Sequence, residues 1–419
     1  MRNLLRSVGF LMISIACCSS AKGQSTCANT SNANTLYCTP ILSVENVHFV
    51  GSGSSVVPGV PPAFSALNAG IGTQITQVPT PAPATGFLFS FGPGGLTSQR
   101  DLGPIFTDSA STVGRHKLYI AFSYQFFEFD QIDSAKLKET PLQISGCDTS
   151  ATGCGSPIVT TSNLSLKTNQ YTTYATFGLT NWFDVSVVIP VVNARMGMQT
   201  TCSICFQTQP TGATLVFTPN TASAHATGIG DLKFRLKATL LHAEHAALAA
   251  GVDVRAPTGN ELNFLGTGTA GVRPFASAAY RARISPHASI GYTANGNSVL
   301  ATSSQIGTAQ LPNSLDYSAG VDVSIVKSLG VVADLLGQTY FSATRIYLGS
   351  RDGSPDISCD PTGASQVCKS LNFNTNSFAI GAKYNPVKKL LVSGSVLFKL
   401  DNYGLHYKPS PMVGISYTF

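Results

Sequence analysis

Four groups of residues have the types or the spacing that chemistry uses. Cys202-Ser203-Ile204-Cys205 has the two-residue gap of redox and metal sites. It lacks a second ligand pair and a thioredoxin-like βαβ setting, so a local disulfide is the plainer reading, with free thiols or metal as alternatives. His242-Ala243-Glu244-His245 has metal-binding residue types, but its spacing is neither HExxH nor HxxEH, which leaves a polar turn. Gly266-Thr267-Gly268-Thr269-Ala270-Gly271 spells GxGxxG, yet no helix follows and no βαβ unit surrounds it, so it reads as a glycine-rich loop. No catalytic residue, metal or cofactor is expected from these three. The fourth group is charged: Asp231, Lys233, Arg235 and Lys237 occupy alternate positions, followed by Asp253 and Arg255, then Arg273, Arg281, Asp322, Asp334, Lys383 and Lys399.

Alternation is the signature of extended chain, because successive side chains leave a strand on opposite faces. Between the charges of the first run stand Leu232, Phe234 and Leu236, so one face is charged and the other greasy. The same rhythm runs through Leu118, Ile120, Phe122, Tyr124 and Phe126, through Phe183, Val185, Val187, Ile189 and Val191, and through Tyr317, Ala319, Val321, Val323 and Ile325. About twelve such segments occur, near 116–128, 166–179, 182–194, 230–242, 246–256, 272–282, 286–296, 314–327, 330–343, 372–384, 388–401 and 409–419. Each is close to the roughly 9–11 residues that a tilted membrane strand needs, and no stretch after the leader approaches the roughly 18 apolar residues of a spanning helix. The pattern predicts an all-β fold, a transmembrane antiparallel up-and-down β-barrel with its greasy set in lipid and its charges lining the lumen. Those charges read as an ion-pair network that stiffens the wall, or as a mildly cationic path for anionic or amphipathic solutes.

Composition agrees. Charged residues make up only 11% of 419 residues, too few for a soluble surface of that size, and the net charge of +6 is not gathered into a basic run, so nucleic acid is not an expected partner. Arg2 and Arg6 precede the apolar run Val8 to Ala16, with small residues after it, which reads as a signal peptide over 1–23. Two of the ten cysteines, Cys17 and Cys18, belong to that leader. The other eight fall in close pairs, Cys27 with Cys38, Cys147 with Cys154, Cys202 with Cys205 and Cys359 with Cys368, and an even count in an exported chain favours disulfides.

Residues 24–114 are rich in Pro, Gly, Ser and Thr and do not alternate, so no barrel strand is assigned there. They read as a plug or lid, with a solvated periplasmic tail as the alternative; Gly86-Phe87-Leu88-Phe89-Ser90-Phe91 and the Cys27 to Cys38 tie favour the first. The barrel occupies 115–419. Its connections alternate between short turns, such as Thr180-Asn181 and Ser328-Leu329, and long ones near 129–165, 195–229, 257–271, 297–313 and 344–371. Both chain termini are expected on the short-turn, periplasmic side. The last strand, Pro411 to Phe419, ends on an aromatic residue, as do the closing strands read by the barrel-assembly machinery.

Gly228-Ile229-Gly230-Asp231-Leu232, then Ala256-Pro257-Thr258-Gly259 and Leu265-Gly266-Thr267-Gly268, resemble the GxGDL…LPTG…LGTG pattern of the phenol-degradation meta-pathway outer-membrane protein family, with Ala256 in place of Leu. The resemblance covers about 228–275. It implies a channel in the bacterial outer membrane for hydrophobic or aromatic compounds, and it supplies no catalytic residue. The expected function is therefore passive transport of small solutes, with outer-membrane lipid and lipopolysaccharide around the barrel. Two alternatives stay open: a surface-exposed structural or binding barrel without transport, and a membrane-embedded hydrolase using His116 or His287.

Overall fold

The computed structural model describes residues 27, 34–43, 47–50, 62–82, 89–92, 95–98, 104–133, 135–144, 158–202, 205–208, 214–243, 245–302, 307–326, 328–351, 354–358, 370–387 and 389–419. Twelve antiparallel strands close a barrel. They are β1 (Leu118–Ile132), β2 (Ile158–Gly178), β3 (Phe183–Cys202), β4 (Leu232–His242), β5 (Ala246–Ala256), β6 (Gly271–Tyr280), β7 (Ile284–Asn295), β8 (Asn313–Val326), β9 (Leu329–Thr344), β10 (Ser370–Val387), β11 (Leu390–Lys399) and β12 (Ser410–Thr418). Each pairs with its neighbours in sequence, and β12 closes on β1 with Ile415 opposite Phe122 and the Phe419 amide donating to the Leu118 carbonyl at 2.8 Å. A further strand, Asn220–Ile229, runs beside the far half of β3, and β4 takes over the near half after Gly230 and Asp231.

The exterior carries the apolar set: Ile120, Phe122, Ile189, Phe234, Leu335, Ile380 and Ile415 are all exposed. Trp182, Tyr280, Tyr384 and Phe419 lie outside near the short turns, while Tyr171, Tyr292 and Tyr317 stand higher on the wall. A greasy band between aromatic girdles is what a barrel needs to sit in lipid, and this barrel has one.

Above that band the polarity inverts. Along β3, Asp184 and Ser186 face inward and Val185 and Val187 outward; further on, Met196 and Met198 are buried, with Arg195 and Gln199 outside. On β2 the inward set becomes Ile158, Leu164 and Leu166, with Thr161, Asn163 and Ser165 exposed. The outer half of the wall is thus built like a soluble sheet, polar to water and apolar within. For that reason β2 and β3 run to 21 and 20 residues, well past the segments marked by outward greasiness.

The apolar interior of this outer half is filled from the N-terminal side. Helix α1 (Pro62–Ile75) begins with proline at a position where its missing N–H costs nothing. Leu67, Ile71 and Ile75, one turn apart, are buried among Phe127, Ile132, Leu300 and Ile346. The Asn68 amide donates to the Tyr37 carbonyl at 2.7 Å, and Gln74 Oε1 accepts from the Leu405 amide at 2.7 Å. The short helix Thr39–Leu42 packs beside β3 and the Asn220–Ile229 strand. Of the two termini expected on the periplasmic side, the N-terminal one lies outside the described residues. Phe419 lies at the short-turn end, but the Leu36 amide donates to Asn263 Oδ1 and Ser43 Oγ meets Thr200 Oγ1 at 3.0 Å, at the long-loop end. The hydrophobic contacts of Leu36 draw it there, because that is where the barrel interior is apolar.

Cys27 is bonded to Cys38 and Cys202 to Cys205. Cys147, Cys154, Cys359 and Cys368 lie outside the described residues, as do the leader and Gly86 to Leu88.

Leu335→Arg sets a charge on the lipid face of β9 and is expected to lower the unfolding free energy of the barrel in bilayers by about 2–4 kcal/mol. Urea titration in lipid vesicles checks this. An unchanged midpoint would mean that Leu335 does not face acyl chains.

Candidate functional site

Residues 104–113 cross the near half of the barrel interior as extended, irregular chain, held almost entirely by the wall. The Lys383 ammonium donates to the Pro104 carbonyl at 2.6 Å. Asp334 accepts from the Phe106 amide at 3.3 Å and the Thr107 hydroxyl at 3.1 Å, and pairs with His287 Nε2 at 2.6 Å. Lys237 donates to the Ser111 carbonyl at 2.6 Å and the Ser109 carbonyl at 3.3 Å. Thr239 donates to the Ala110 carbonyl, and Arg281 to the Ser111 hydroxyl. Asp184 receives the Val113 amide at 3.0 Å. The segment then turns at Gly114, whose φ of +91° is open to glycine at little cost, and enters β1.

At the centre of the span, Asp108 bridges two arginines. Its Oδ1 accepts from Arg235 Nη1 at 2.6 Å and its Oδ2 from Arg273 Nη2 at 2.9 Å. Arg235 is also forked onto Asp253 at 2.5 and 2.7 Å, and Arg273 reaches Asp253 at 3.0 Å and Asp316 at 2.9 Å. The Phe275 ring lies beneath both guanidinium carbons, 4.4 Å from Arg235 and 5.1 Å from Arg273. Burial pushes the Asp108 carboxyl up, but the two guanidinium charges outweigh it and hold it well below the usual carboxylate range.

Above this cluster is a cavity of about 290 Å³, bounded on the far side by residues 74–82. Tyr174, Phe264, Tyr340 and Tyr407 line it together with Lys233 and Gln338. Tyr174 donates its hydroxyl to the Pro81 carbonyl at 3.0 Å, which fixes the chain leaving α1 to the wall.

The GxGDL motif acts through its aspartate. Asp231 Oδ2 accepts from the Thr267 amide at 2.7 Å and the Thr267 hydroxyl at 2.6 Å, and Oδ1 from the Gly259 amide at 3.1 Å. Arg255 stands 3.6 Å from the same carboxylate and donates to Asn295 at 2.6 Å. The β5–β6 loop is thereby folded over the top of β4. A Cβ on Gly266 would come within 2.2 Å of Asp231 Oδ1 and 2.7 Å of Gly259 Cα, so the glycines of the motif are close-approach positions. The GxGxxG run is part of this loop, with no helix after it.

Among the charges singled out from sequence, Arg235, Lys237, Arg273, Arg281, Asp334 and Lys383 meet residues 104–113, and Asp253 supports the arginines from behind. Asp231 and Arg255 serve the β5–β6 loop, Asp322 is buried in β8, and Lys399 pairs with Asp401 at 3.2 Å. Lys233 borders the cavity, and no hydrogen bond or ion pair holds it among the described residues. Sequence reasoning missed Asp108, Asp184, Asp316 and Phe275 as site residues, and named His287 only for a hydrolase. Asp184 and Asp316 share the phase of their strands' inward sets and were there to be found; Asp108 sits in non-alternating chain and carried no such signal. His287 is bound to Asp334, and the Thr107 hydroxyl also donates to that carboxylate, so the hydroxyl is held by the acid and not by the imidazole. His116 is exposed, in the turn before β1. No cluster of three metal-ligating side chains occurs among the described residues.

No family model matches the chain, and no curated protein matches it by sequence. Solved structures do resemble it in outline. An outer membrane channel from Pseudomonas putida F1 is 13% identical, with a TM-score of 0.46, covering 74% of this chain and 98% of the channel. The NanC porin is 7% identical over 72% of this chain and 98% of the porin, with a TM-score of 0.36, and a Pseudomonas aeruginosa FadL homologue is 9% identical over 73% and 90%, with a TM-score of 0.31. The barrel assignment rests on strand register and not on these likenesses, and the phenol-degradation resemblance stands on its motif alone.

Gly266→Ala is expected to push the β5–β6 loop off Asp231 and cost about 1–3 kcal/mol, read as a lower urea midpoint and faster proteolysis within 257–271. Gly349→Ala, where an added Cβ meets nothing within 4 Å, is the control and should leave both unchanged.

Proposed function

We propose that the protein is an outer-membrane channel for passive movement of small solutes, and that residues 62–82 and 104–113 form an internal plug that restricts it. The observation that carries this reading is the cavity of about 290 Å³ inside a closed membrane barrel, lined by aromatic and polar side chains and bounded by chain that the wall holds through hydrogen bonds. A barrel of about eight strands is filled by its own side chains, and twelve strands leave more room than that. Here the interior is filled by separate chain: α1 packs by its apolar stripe, and residues 104–113 are attached mainly through backbone carbonyls and one aspartate. Such bonds can be broken and remade without unfolding a strand.

The phenol-degradation family that residues 228–275 resemble points to aromatic compounds as the solutes, and Tyr174, Phe264, Tyr340 and Tyr407 would suit them. The strand ending in Phe419 is the segment that the assembly machinery would read, and lipopolysaccharide would surround the outer half.

Planar-bilayer recording with the full chain tests the channel. The wild-type protein is expected to give small, discrete conductance steps. Lys237→Met combined with Lys383→Met removes donors to the Ser111 and Pro104 carbonyls and should raise the step size severalfold, while the barrel keeps its heat-dependent gel mobility. An impermeable cylinder in both forms rejects the reading.

A further inference from the structure

We infer that Arg235 and Arg273 form a carboxylate-binding site that the chain's own Asp108 occupies, and that a small organic carboxylate in the adjoining cavity exchanges with Asp108. The inference deepens the channel reading, on which it rests for the way in, by naming a solute class.

Three observations lead to it. First, the two oxygens of Asp108 are met by different arginines, at 2.6 and 2.9 Å, so the side chain fills a bridging position between two fixed guanidinium groups. Charge-assisted bonds of this kind recognise any carboxylate and not aspartate alone. Second, the three acids around the arginines differ in what carries them. Asp253 and Asp316 belong to β5 and β8, locked in register on both sides, whereas Asp108 is the one charged residue of the irregular segment 104–113. If one carboxylate leaves, it is Asp108. Third, Asp108, Arg235, Arg273 and Lys233 all border the same cavity, so a guest there reaches the bridging position directly.

The arginines keep their number of anionic partners in the exchange. Arg235, Arg273 and Lys233 border the cavity as three cations; a guest carboxylate takes the place of Asp108 on the two arginines, and the displaced Asp108, still tethered to the insert, turns to Lys233. Lys233, with no hydrogen bond or ion pair among the described residues, is available to it. Tyr174, Tyr340 and Phe264 supply apolar surface for the guest's body, which favours an aromatic or short aliphatic monocarboxylate over a polyacid. Displacing Asp108 removes the central anchor of 104–113 and leaves Lys383 and Asp334 holding 104–107 and Lys237, Thr239, Arg281 and Asp184 holding 109–113. Binding and loosening of the insert are then one event.

Acid alone does not imitate the exchange. The carboxyl of Asp108 is held below its unfolded value of about 3.9, so its pairing is fully present above that pH and is lost only as pH falls through the lower folded value.

The test is calorimetric titration of the full chain in detergent with benzoate, and with benzyl alcohol as the uncharged analogue. Asp108→Ala empties the bridging position. Because a competing internal ligand lowers apparent affinity by the fraction of time the site is free, benzoate should bind this variant at least ~10-fold more tightly than wild type, with no gain for benzyl alcohol. Adding Arg273→Gln should abolish the gain. Equal benzoate affinity in wild type and Asp108→Ala, or an equal gain for benzyl alcohol, overturns the inference. Should the variant fail to fold, hydrogen exchange on wild type decides: saturating benzoate must lower protection of the amides of 106–111, and unchanged protection overturns the proposal. Benzoate gain without conductance keeps the site and rejects the channel; conductance without benzoate gain does the reverse.

Discussion

A backbone polar group in lipid has no water to turn to, and this constraint shapes everything in the molecule. A twelve-strand sheet satisfies its amides only if its ends meet, which β12 and β1 do over seven paired residues from Met412 to Thr418. Closure takes away the sheet edges, and it also creates an inside. Within the membrane band the outward positions are claimed by lipid, so the charged side chains of the wall are turned into a confined space where they must find partners.

The wall does not satisfy that requirement by itself. Arg235 and Arg273 have Asp253 and Asp316, but the fork of each guanidinium has a further arm, and Lys237 reaches Asp184 of the wall at 3.8 Å, longer than a hydrogen bond. Residues 104–113 complete the set. They contribute one carboxylate and a row of carbonyls, which are good acceptors for lysine ammonium groups and carry no charge that would need neutralising in turn. Insert and wall are therefore complementary by sign. The wall is rich in donors, the insert in acceptors, and Asp184 and Asp334 reverse the relation where the insert presents amides.

What could be read from the chain follows from the same division. Where lipid bathes the outside, hydrophobicity repeats every two residues, and the strand positions within the band were legible with the phase of their charges. Where water bathes the outside, the rhythm persists with its sign inverted. Thr160, Ser162 and Leu164 point in while Thr161, Asn163 and Ser165 point out, and a search for greasy outward faces passes over them. Helix α1 was missed for a related reason: Ala66, Ala69, Gly70 and Gly72 make its stripe of Leu67, Ile71 and Ile75 look like part of a low-complexity tract. Asp108 had no periodicity at all to announce it. Its importance comes from two arginines more than a hundred residues away in sequence, a distance that only closure of the barrel bridges.

The GxGDL and GTG motif shows why a short pattern can be specific without being catalytic. Asp231 sits where the membrane half of the wall ends and the water-exposed half begins, at the joint between the Asn220–Ile229 strand and β4. The chain must change neighbours there, and the β5–β6 loop must fold over the joint so that its own amides are satisfied away from the sheet. One carboxylate accepting from Gly259 and Thr267 does both, and it needs glycine at 259 and 266 because the backbones approach to within a Cβ radius. Aspartate is required over glutamate by the same closeness, since a longer side chain would hold the loop away from the wall and uncover the bond between Thr258 and the Gly230 carbonyl. The motif is thus the corner at which two differently solvated halves of one sheet are joined, and its spacing is set by the length of chain needed to turn that corner.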